Sequence, residues 1–316
     1  MKLIFQLFLN LMLFIGFFQT FLNAYAGSDK VSENKISRKP ASSITLKSEK
    51  ISNIQIFSAT LKYIEEHQLP SLEISLYTNN ASSTNNLSFN SHDYLPILVA
   101  NTTTFQMTKT LVEQGLSPLI LDMANRSRPG GSVLEGSNAQ EETLCRQSNL
   151  YTGLKTAYAD NYYPIPEHGG ILIKSVTFFR DENYDFLTHP IQADVFALAA
   201  YDCNYAHKPD LENNLSGYDK PSLEKDYEKG TKAKIRAMLQ TAKKNGNDSL
   251  VLSAFGCGAF RNDPIKISTF YKEVLGEPEF QNTFKIITFA IKDTGQGNFE
   301  VFKNAFKIGT NFSAKI

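Results

Sequence analysis

The stretch "PLILDMANRSRPGGSVLEGSNAQEE", residues 118–142, contains an apolar run, a glycine-bearing loop and two adjacent carboxylates. Its first part, "PLILDMAN", is short and rich in Leu and Ile, which is typical of a strand covered on both faces. Ser137 with Gln140 three residues later has the spacing of a capping box, which predicts a helix from about Ala139 to about Tyr158. The stretch therefore predicts a strand, a loop and a helix in succession.

The same alternation continues on both sides of this stretch. We predict further strands at "LPILVA" (95–100), "GGILIKSVTFF" (169–179), "ADVFALAAY" (193–201), "DSLVLSAF" (248–255) and "FKIITFAIK" (284–292), and helices at 51–67, 103–115, 230–246 and 265–276. In the helix over 51–67, Ile54, Phe57, Leu61 and Ile64 have the spacing of an inward face. Alternating strands and helices predict an α/β domain with a mixed or mostly parallel sheet, and ligands of such sheets bind at the carboxyl ends of the strands.

The amino-terminal segment predicts export. Lys2, an apolar run and "AYA" before Gly27 are typical of a signal peptide over residues 1–26. The alternative is an uncleaved membrane anchor, because the apolar run is long. Residues 27–50 are polar and predict a flexible linker, which leaves 51–316 as one domain. A glycan on Asn125 of the "NRS" sequon would lie beside the loop discussed below, which favours export from a bacterium.

Charge and cysteine content exclude several classes of protein. Lys and Arg together number 32, as do Asp and Glu, so no basic field is available to attract nucleic acid. Three scattered cysteines, Cys145, Cys203 and Cys257, predict neither a disulfide framework nor a zinc site. No cluster of metal ligands is recognisable, and we predict a monomer that needs no cofactor. We interpret His168, His189 and His207 as surface or hydrogen-bonded histidines. Residues 208–230 are interpreted as a solvated insertion.

Two glycine-bearing loops each follow an apolar strand and enter a helix. They are "PGGSVLEG" (129–136) and "GCGAFRNDP" (256–264). Glycine lets backbone N–H groups point together, and a helix N-terminus adds positive partial charge, so either loop could hold a diphosphate without Lys or Arg. Neither loop has the spacing of a dinucleotide fingerprint or a P-loop.

Glu141 and Glu142 lie in the first turn of the helix that the first loop enters. Their simplest role is to complement the helix dipole. Negative charge beside an anion site costs energy, however, and this favours a chemical role. Adjacent helical residues point about 100 degrees apart, so one carboxylate could reach a reacting bond while the other holds a sugar hydroxyl.

Residues 123–151 together with "SAFGCGAFRNDP" (253–264) resemble the microbial type of poly(ADP-ribose) glycohydrolase, a macrodomain family, and the resemblance extends over about 52–293. It implies a three-layer α/β/α macrodomain with a mixed central sheet. It also implies binding of ADP-ribose and cleavage of the ribose–ribose O-glycosidic bond. In this resemblance Glu142 matches the catalytic general acid and base, which protonates the leaving oxygen and then accepts a proton from water. Glu141 matches a neighbour that holds ribose hydroxyls.

The resemblance also implies the binding residues. Asn125 would contact ribose, Gln140 would support the turn, and Gly130 and Gly131 would lie near the terminal ribose and the diphosphate. The diphosphate loop would consist of Gly256, Cys257, Gly258, Ala259 and Phe260, with Phe260 packed against the terminal ribose.

The sequence departs from the family at Ser132, where the family has a third glycine. A side chain there could crowd the diphosphate or alter the loop. Two alternative functions stay open: a non-catalytic ADP-ribose-binding module, and a hydrolase of mono-ADP-ribosylated protein side chains. Tyr162 and Tyr163 could line an adenine pocket, although packing in the core is the default for aromatic pairs.

Overall fold

The computed structural model describes residues 43–78, 96–204 and 224–307. The chain divides into two compact units after Leu46, and the fold below is that of the second. The predicted signal peptide and residues 27–42 of the predicted linker lie outside the described residues. No helix among the described ranges is long and apolar enough to cross a membrane.

Strands and helices alternate along most of the chain. The helices are α1 (Ser43–Glu66), α2 (Thr104–Glu113), α3 (Gln140–Gln147), α4 (Leu150–Ala159), α5 (Glu224–Asn245), α6 (Pro264–Leu275) and α7 (Asn298–Ala305). The strands are β1 (Ile74–Thr78), β2 (Ile97–Ala100), β3 (Pro118–Met123), β4 (Gly169–Arg180), β5 (Phe186–Leu198), β6 (Ser249–Leu252) and β7 (Ile286–Ala290).

These strands form a seven-stranded mixed sheet in the order β1-β4-β5-β3-β6-β7-β2. The five strands from β5 to β2 are parallel, whereas β4 pairs antiparallel with both β1 and β5. Leu119 and Leu121 of β3 pack in a core with residues of α5, α6 and α7. The alternate residues Ile120 and Asp122 are equally buried, so both faces of β3 are covered. The predicted mixed α/β fold is confirmed.

The prediction of one long helix after the first loop is wrong. The structure has two helices, α3 and α4, separated at Ser148 and Asn149. The side chain of Asn149 accepts a hydrogen bond from the Thr177 N–H, and the backbone N–H of Asn149 donates to the Thr177 carbonyl. Because this N–H is bonded to β4, it does not form the hydrogen bond that a continuous helix would need. The predicted capping box is also wrong, because the N-cap of α3 is Ala139 and no side chain caps it.

Three boundaries or faces differ from the predictions. Helix α1 begins at Ser43, so residues 43–50 are not a linker. The inward face of α1 carries Asn53 and Phe57, whereas Ile54 is 41% exposed. Asn53 faces inward because its amide donates to the carbonyl of Gly136 in the first loop. Helix α5 begins at Glu224, within the predicted solvated insertion, whose residues 208–223 lie outside the described part.

Candidate active site

An open cavity of about 980 Å³ lies at the carboxyl edge of the parallel strands. It is lined by residues of the loops that follow β3, β5, β6 and β7, which is where α/β sheets bind ligands. Every predicted site residue except Gly130 lines this cavity: Asn125, Gly131, Ser132, Gln140, Glu141, Glu142, Gly256, Cys257, Gly258, Ala259 and Phe260. The structure thus brings the two loops together in one place.

The first loop passes so close to the carboxylates that it needs glycine. Gly131 has a φ of +58°, and a Cβ atom there would lie 2.5 Å from Glu142 Oε1 and 2.9 Å from Glu141 Oε2. Gly130 has a φ of +70°, and a Cβ atom there would lie 2.7 Å from the Tyr151 ring. Any L-residue at either position would have both backbone strain and a steric clash.

Glu141 is a buried carboxylate that holds the backbone of this loop. Its Oε1 accepts the N–H of Gly130 at 3.0 Å, and its Oε2 accepts the N–H of Asn125 at 2.8 Å. The side chain of Asn125 accepts the N–H groups of Ser127 and Arg128, which fixes the first turn after β3. Glu141 therefore determines the path of the chain between β3 and the first loop.

Glu142 differs from Glu141 in having one oxygen without a partner. Its Oε1 accepts the N–H of Ser132 at 2.9 Å, whereas its buried Oε2 has no hydrogen-bond partner among the described residues. The side chain is 6% exposed and lines the cavity. The loop thus fixes one oxygen, and the other has no partner in the described part of the chain.

Gln140 joins the start of α3 to β3. Its Nε2 donates to the Leu121 carbonyl at 2.7 Å, and its Oε1 accepts the Met123 N–H at 2.8 Å. These two bonds explain why Gln140 does not complete a capping box: its amide pairs with the strand instead. The role of Gln140 in supporting the turn stays a prediction.

Asp122, which the sequence interpretation missed, lies beneath the two glutamates. It is fully buried on β3, and neither of its carboxyl oxygens has a hydrogen-bond partner among the described residues. Burial, and then the charge of Glu142, raise the pKa of Asp122 well above its usual range. Burial and the charge of Asp122 also raise the pKa of Glu141. Three carboxyl groups packed this closely do not all ionise at low cost. The one feature of the sequence that could have indicated Asp122 is the presence of an acid in an otherwise apolar strand.

The backbone conformation at Ser132 does not require the glycine that the family has at this position. Its φ is −107°, which any residue adopts, and its backbone N–H holds Glu142. Its hydroxyl accepts a hydrogen bond from Arg128 Nη1 at 3.1 Å, and the same guanidinium pairs with Glu135. The positions of the loop that require glycine are therefore Gly130, Gly131 and Gly136, and Ser132 is not one of them.

The second loop leaves its amides available. The N–H groups of Gly258, Ala259 and Phe260 have no acceptor among the described residues, whereas those of Cys257, Arg261 and Asn262 bond within the loop region. Arg261, which the sequence interpretation also missed, is the one Lys or Arg among the described residues that line the cavity. Three consecutive free amides beside one cation suit an anion.

Tyr162 and Tyr163 are not among the cavity-lining residues, so they do not form an adenine pocket in this cavity. Cys145 and Cys257 are buried, Cys203 is partly buried, and all three are free thiols. Burial raises the pKa of Cys203 to about 11 and that of Cys257 to about 12, so both stay protonated at neutral pH. Within the described ranges, no three His, Cys, Asp or Glu residues could hold a metal ion.

Comparison with known proteins identifies a family. The sequence model described as the catalytic domain of microbial-type PARG, poly(ADP-ribose) glycohydrolase, matches residues 45–181. No curated protein sequence matches the chain. The fold is similar to that of poly(ADP-ribose) glycohydrolase from Thermomonospora curvata, with a TM-score of 0.64, 21% identity, and coverage of 81% of this chain and 100% of that one.

A second similar structure shows higher sequence identity. The poly(ADP-ribose) glycohydrolase from Deinococcus radiodurans, solved in complex with ADP-ribose, has a TM-score of 0.57 and 27% identity over 67% of this chain and 84% of that chain. The Thermomonospora enzyme was also solved with the inhibitor ADP-HPD, and that structure has a TM-score of 0.62 and 23% identity over 81% of this chain and 99% of that one. Together with the catalytic-domain model that matches residues 45–181, these similarities support the assignment of the chain to the microbial type of poly(ADP-ribose) glycohydrolase.

Proposed function

We propose that this glycohydrolase releases ADP-ribose from poly(ADP-ribose) with Glu142 as its general acid and base. The observation that carries the proposal is the asymmetry of the Glu142 carboxyl group. The Ser132 N–H fixes Oε1, and Oε2 has no partner among the described residues in a cavity that ADP-ribose would occupy. A general acid needs this combination of fixed orientation and one free oxygen.

The reaction begins with protonated Glu142. As the bond between the anomeric carbon of the terminal ribose and the oxygen of the next sugar breaks, Glu142 donates its proton to that oxygen. The terminal ribose becomes cationic in character, and the carboxylate left on Glu142 then accepts a proton from the water that attacks the anomeric carbon. The products are ADP-ribose and a shortened polymer, and Glu142 is again protonated.

Two buried carboxyl groups beside Glu142 have a raised pKa. The pKa of Asp122 and that of Glu141 are each raised partly by the charge of a neighbouring carboxylate. The cluster as a whole therefore keeps a proton at a pH where isolated carboxyl groups have lost theirs.

We assign Glu141 to the terminal ribose and to the loop at the same time. Its two oxygens already accept the N–H groups of Gly130 and Asn125. Each carboxylate oxygen has a second lone pair, which leaves capacity for one ribose hydroxyl. The two adjacent glutamates thus divide the work, because Glu141 holds the sugar and the loop while Glu142 transfers the proton.

The diphosphate is assigned to the second loop. The amides of Gly258, Ala259 and Phe260 are free to donate, and Arg261 adds one positive charge at the cavity wall. The amides of Gly130 and Ser132 in the first loop already serve the glutamates, so that loop holds the reacting ribose. Phe260 lines the same cavity and would pack against the ribose.

The experiment that tests the activity uses two substrates. Residues 51–316 and the full chain are each incubated with poly(ADP-ribose) and with mono-ADP-ribosylated protein, and released ADP-ribose is quantified. We expect release from the polymer. Release from the mono-modified protein alone would assign the chain to side-chain hydrolysis, and binding of ADP-ribose without release would make it a non-catalytic reader.

We also propose that the chain is exported and meets its substrate outside the bacterial cytoplasm. The support is the sequence of residues 1–26, with Lys2, an apolar run and the small-residue cleavage site. Fractionation of expressing cells, with mass determination of the amino terminus, tests this proposal. We expect a product that begins near Gly27, and full-length protein in the cytosol would contradict it.

A further inference from the structure

Asn262 is a buried polar residue directly behind the second loop. Its side chain is 4% exposed, and Asn262 is not among the residues that line the cavity. It follows the loop residues Gly256 to Phe260 by two positions and immediately precedes the N-cap of α6, Asp263. Asn262 has no part in the mechanism above, yet its hydrogen bonds extend to three separate segments of the chain.

The donors of Asn262 hold the beginning of the loop and the segment that follows β5. Its Nδ2 donates to the Gly256 carbonyl at 3.0 Å and to the Tyr201 carbonyl at 2.8 Å. Its backbone N–H donates to the same Gly256 carbonyl at 3.1 Å. The loop is therefore closed on itself and attached to the segment that follows β5.

The acceptor of Asn262 faces helix α5. Its Oδ1 accepts the Tyr227 hydroxyl at 2.7 Å and lies 3.6 Å from the Cys203 sulfur. Because a hydroxyl and a thiol face Oδ1 while two carbonyls face Nδ2, the orientation of the amide is determined by its partners. A carboxylate at this position would place an acceptor against both carbonyls.

Gly256 and Asn262 are matched in size. Gly256 has a φ of +72°, and a Cβ atom there would lie 2.5 Å from Asn262 Nδ2. Only glycine allows the backbone to approach the amide this closely. The turn at Gly256 leads into Gly258, Ala259 and Phe260, which line the cavity and whose N–H groups have no acceptor among the described residues.

We propose that Asn262 is a positioning residue that sets the second loop in the conformation that binds the diphosphate, and that Tyr227 orients its amide from α5. This inference rests on the proposed function, because it assumes that the loop binds the diphosphate of ADP-ribose. It predicts that disturbing Asn262 weakens substrate binding and leaves the proton transfer by Glu142 unchanged.

The test compares Tyr227→Phe and Asn262→Asp with Tyr271→Phe as a matched control. Tyr271 is also fully buried, but its hydroxyl has no hydrogen-bond partner among the described residues, so its loss removes a hydroxyl without removing a bond. Calorimetry gives the Kd for ADP-ribose, and polymer hydrolysis gives kcat and KM. We expect Tyr227→Phe to raise Kd and KM about five-fold, the factor that corresponds to one hydrogen bond of about 1 kcal/mol, with kcat within about two-fold of the parent.

We expect a larger effect from Asn262→Asp and none from Tyr271→Phe. Asn262→Asp should raise Kd more than about ten-fold, because it replaces two donors by acceptors. Unchanged affinity in Tyr227→Phe, or a loss confined to kcat, would overturn the inference even if Asn262→Asp fails to fold. A parent protein that binds ADP-ribose but releases none from the polymer would contradict the proposed function, and the Kd comparison would still decide the role of Asn262.

Discussion

The two glycine loops of this enzyme are built alike but are held by opposite chemistry. Each follows a parallel strand and contains glycine at positive φ, at Gly130 and Gly131 in the first loop and at Gly256 in the second. The amides of the first loop donate to the carboxylates of Glu141 and Glu142, whereas the second loop is held by the neutral amide of Asn262 and leaves three amides free. A glycine loop is thus an anion site only where its amides are not already bonded to the protein's own acids.

Among the variants that compare the two loops, the largest expected effect comes from adding a methyl group to a glycine of the first loop. Gly131→Ala places a Cβ atom 2.5 Å from Glu142 Oε1 at a φ of +58°. We expect kcat to fall by about 100-fold or more, since displacement of a catalytic group by about 1 Å has that effect. Gly246→Ala is the matched control, because Gly246 lies away from the cavity with a φ of +84° and a Cβ atom there meets nothing within 4 Å. Equal losses in both variants would contradict the close approach of the first loop to the glutamates.

The second prediction separates the two glutamates by stability. In Glu141→Gln, one amide N–H of the loop faces an NH₂ group instead of a carboxylate oxygen, so we expect the free energy of unfolding to fall by about 1–3 kcal/mol. Glu142→Gln can keep its bond from the Ser132 N–H through the remaining carbonyl oxygen, so we expect it to lose less than about 1 kcal/mol. Urea denaturation of both variants measures the difference. The reverse order of stability would show that Glu142, and not Glu141, holds the loop.

Much of this fold could be predicted from sequence, because local patterns determine it. The apolar runs at β3, β6 and β7 predicted buried strands, and Gly115 and Gly246, both at positive φ, marked the ends of α2 and α5. The misplaced features depend on partners distant in sequence. Asn149 breaks the helix by pairing with Thr177, and Gln140 bonds β3 rather than its own helix.

The candidate site was predictable to the extent that it follows the motifs. The glycines and the paired glutamates form recognisable patterns, and the structure brings them together. Asp122 looked like part of an apolar strand, and only its position beneath the glutamates reveals it. Asn262 and Arg261 belong to the second motif, but nothing in the sequence distinguishes the buried amide from the side chain that lines the cavity.

The third prediction concerns Asp122, the buried acid beneath the first loop. Because the pKa of Asp122 is raised, the folded state keeps a proton that the unfolded chain loses. This stability is fully present below the unfolded pKa of about 4 and is lost as the pH rises through the folded value. Asp122→Asn cannot ionise, so its stability relative to the parent should increase with pH, by at most about 1.4 kcal/mol per pH unit.

Urea denaturation of Asp122→Asn and the parent at pH 5 and pH 8 measures this change. We expect the variant to gain on the parent between the two values. A difference that is the same at both pH values would show that Asp122 is ionised throughout and would contradict the buried carboxyl cluster.

The smallest expected effect is at the departure from the family. Ser132 has a φ of −107°, and its hydroxyl contacts the exposed Arg128, so Ser132→Gly should relieve no strain. We expect the free energy of unfolding to change by no more than about 1 kcal/mol, the cost of glycine flexibility, and the affinity for ADP-ribose to change by less than about three-fold. A large gain in affinity would instead show that the serine side chain crowds the ligand.

The most direct test of the account measures the release of ADP-ribose from poly(ADP-ribose) by the parent, by Glu142→Gln and by Glu113→Gln. Glu113 is a surface acid paired with Lys109 and serves as the control. We predict that Glu142→Gln binds ADP-ribose with the affinity of the parent while kcat falls by about 10²–10⁴-fold, the contribution of a general acid, and that the control is unchanged. Turnover by Glu142→Gln at the rate of the parent would contradict the assignment of Glu142.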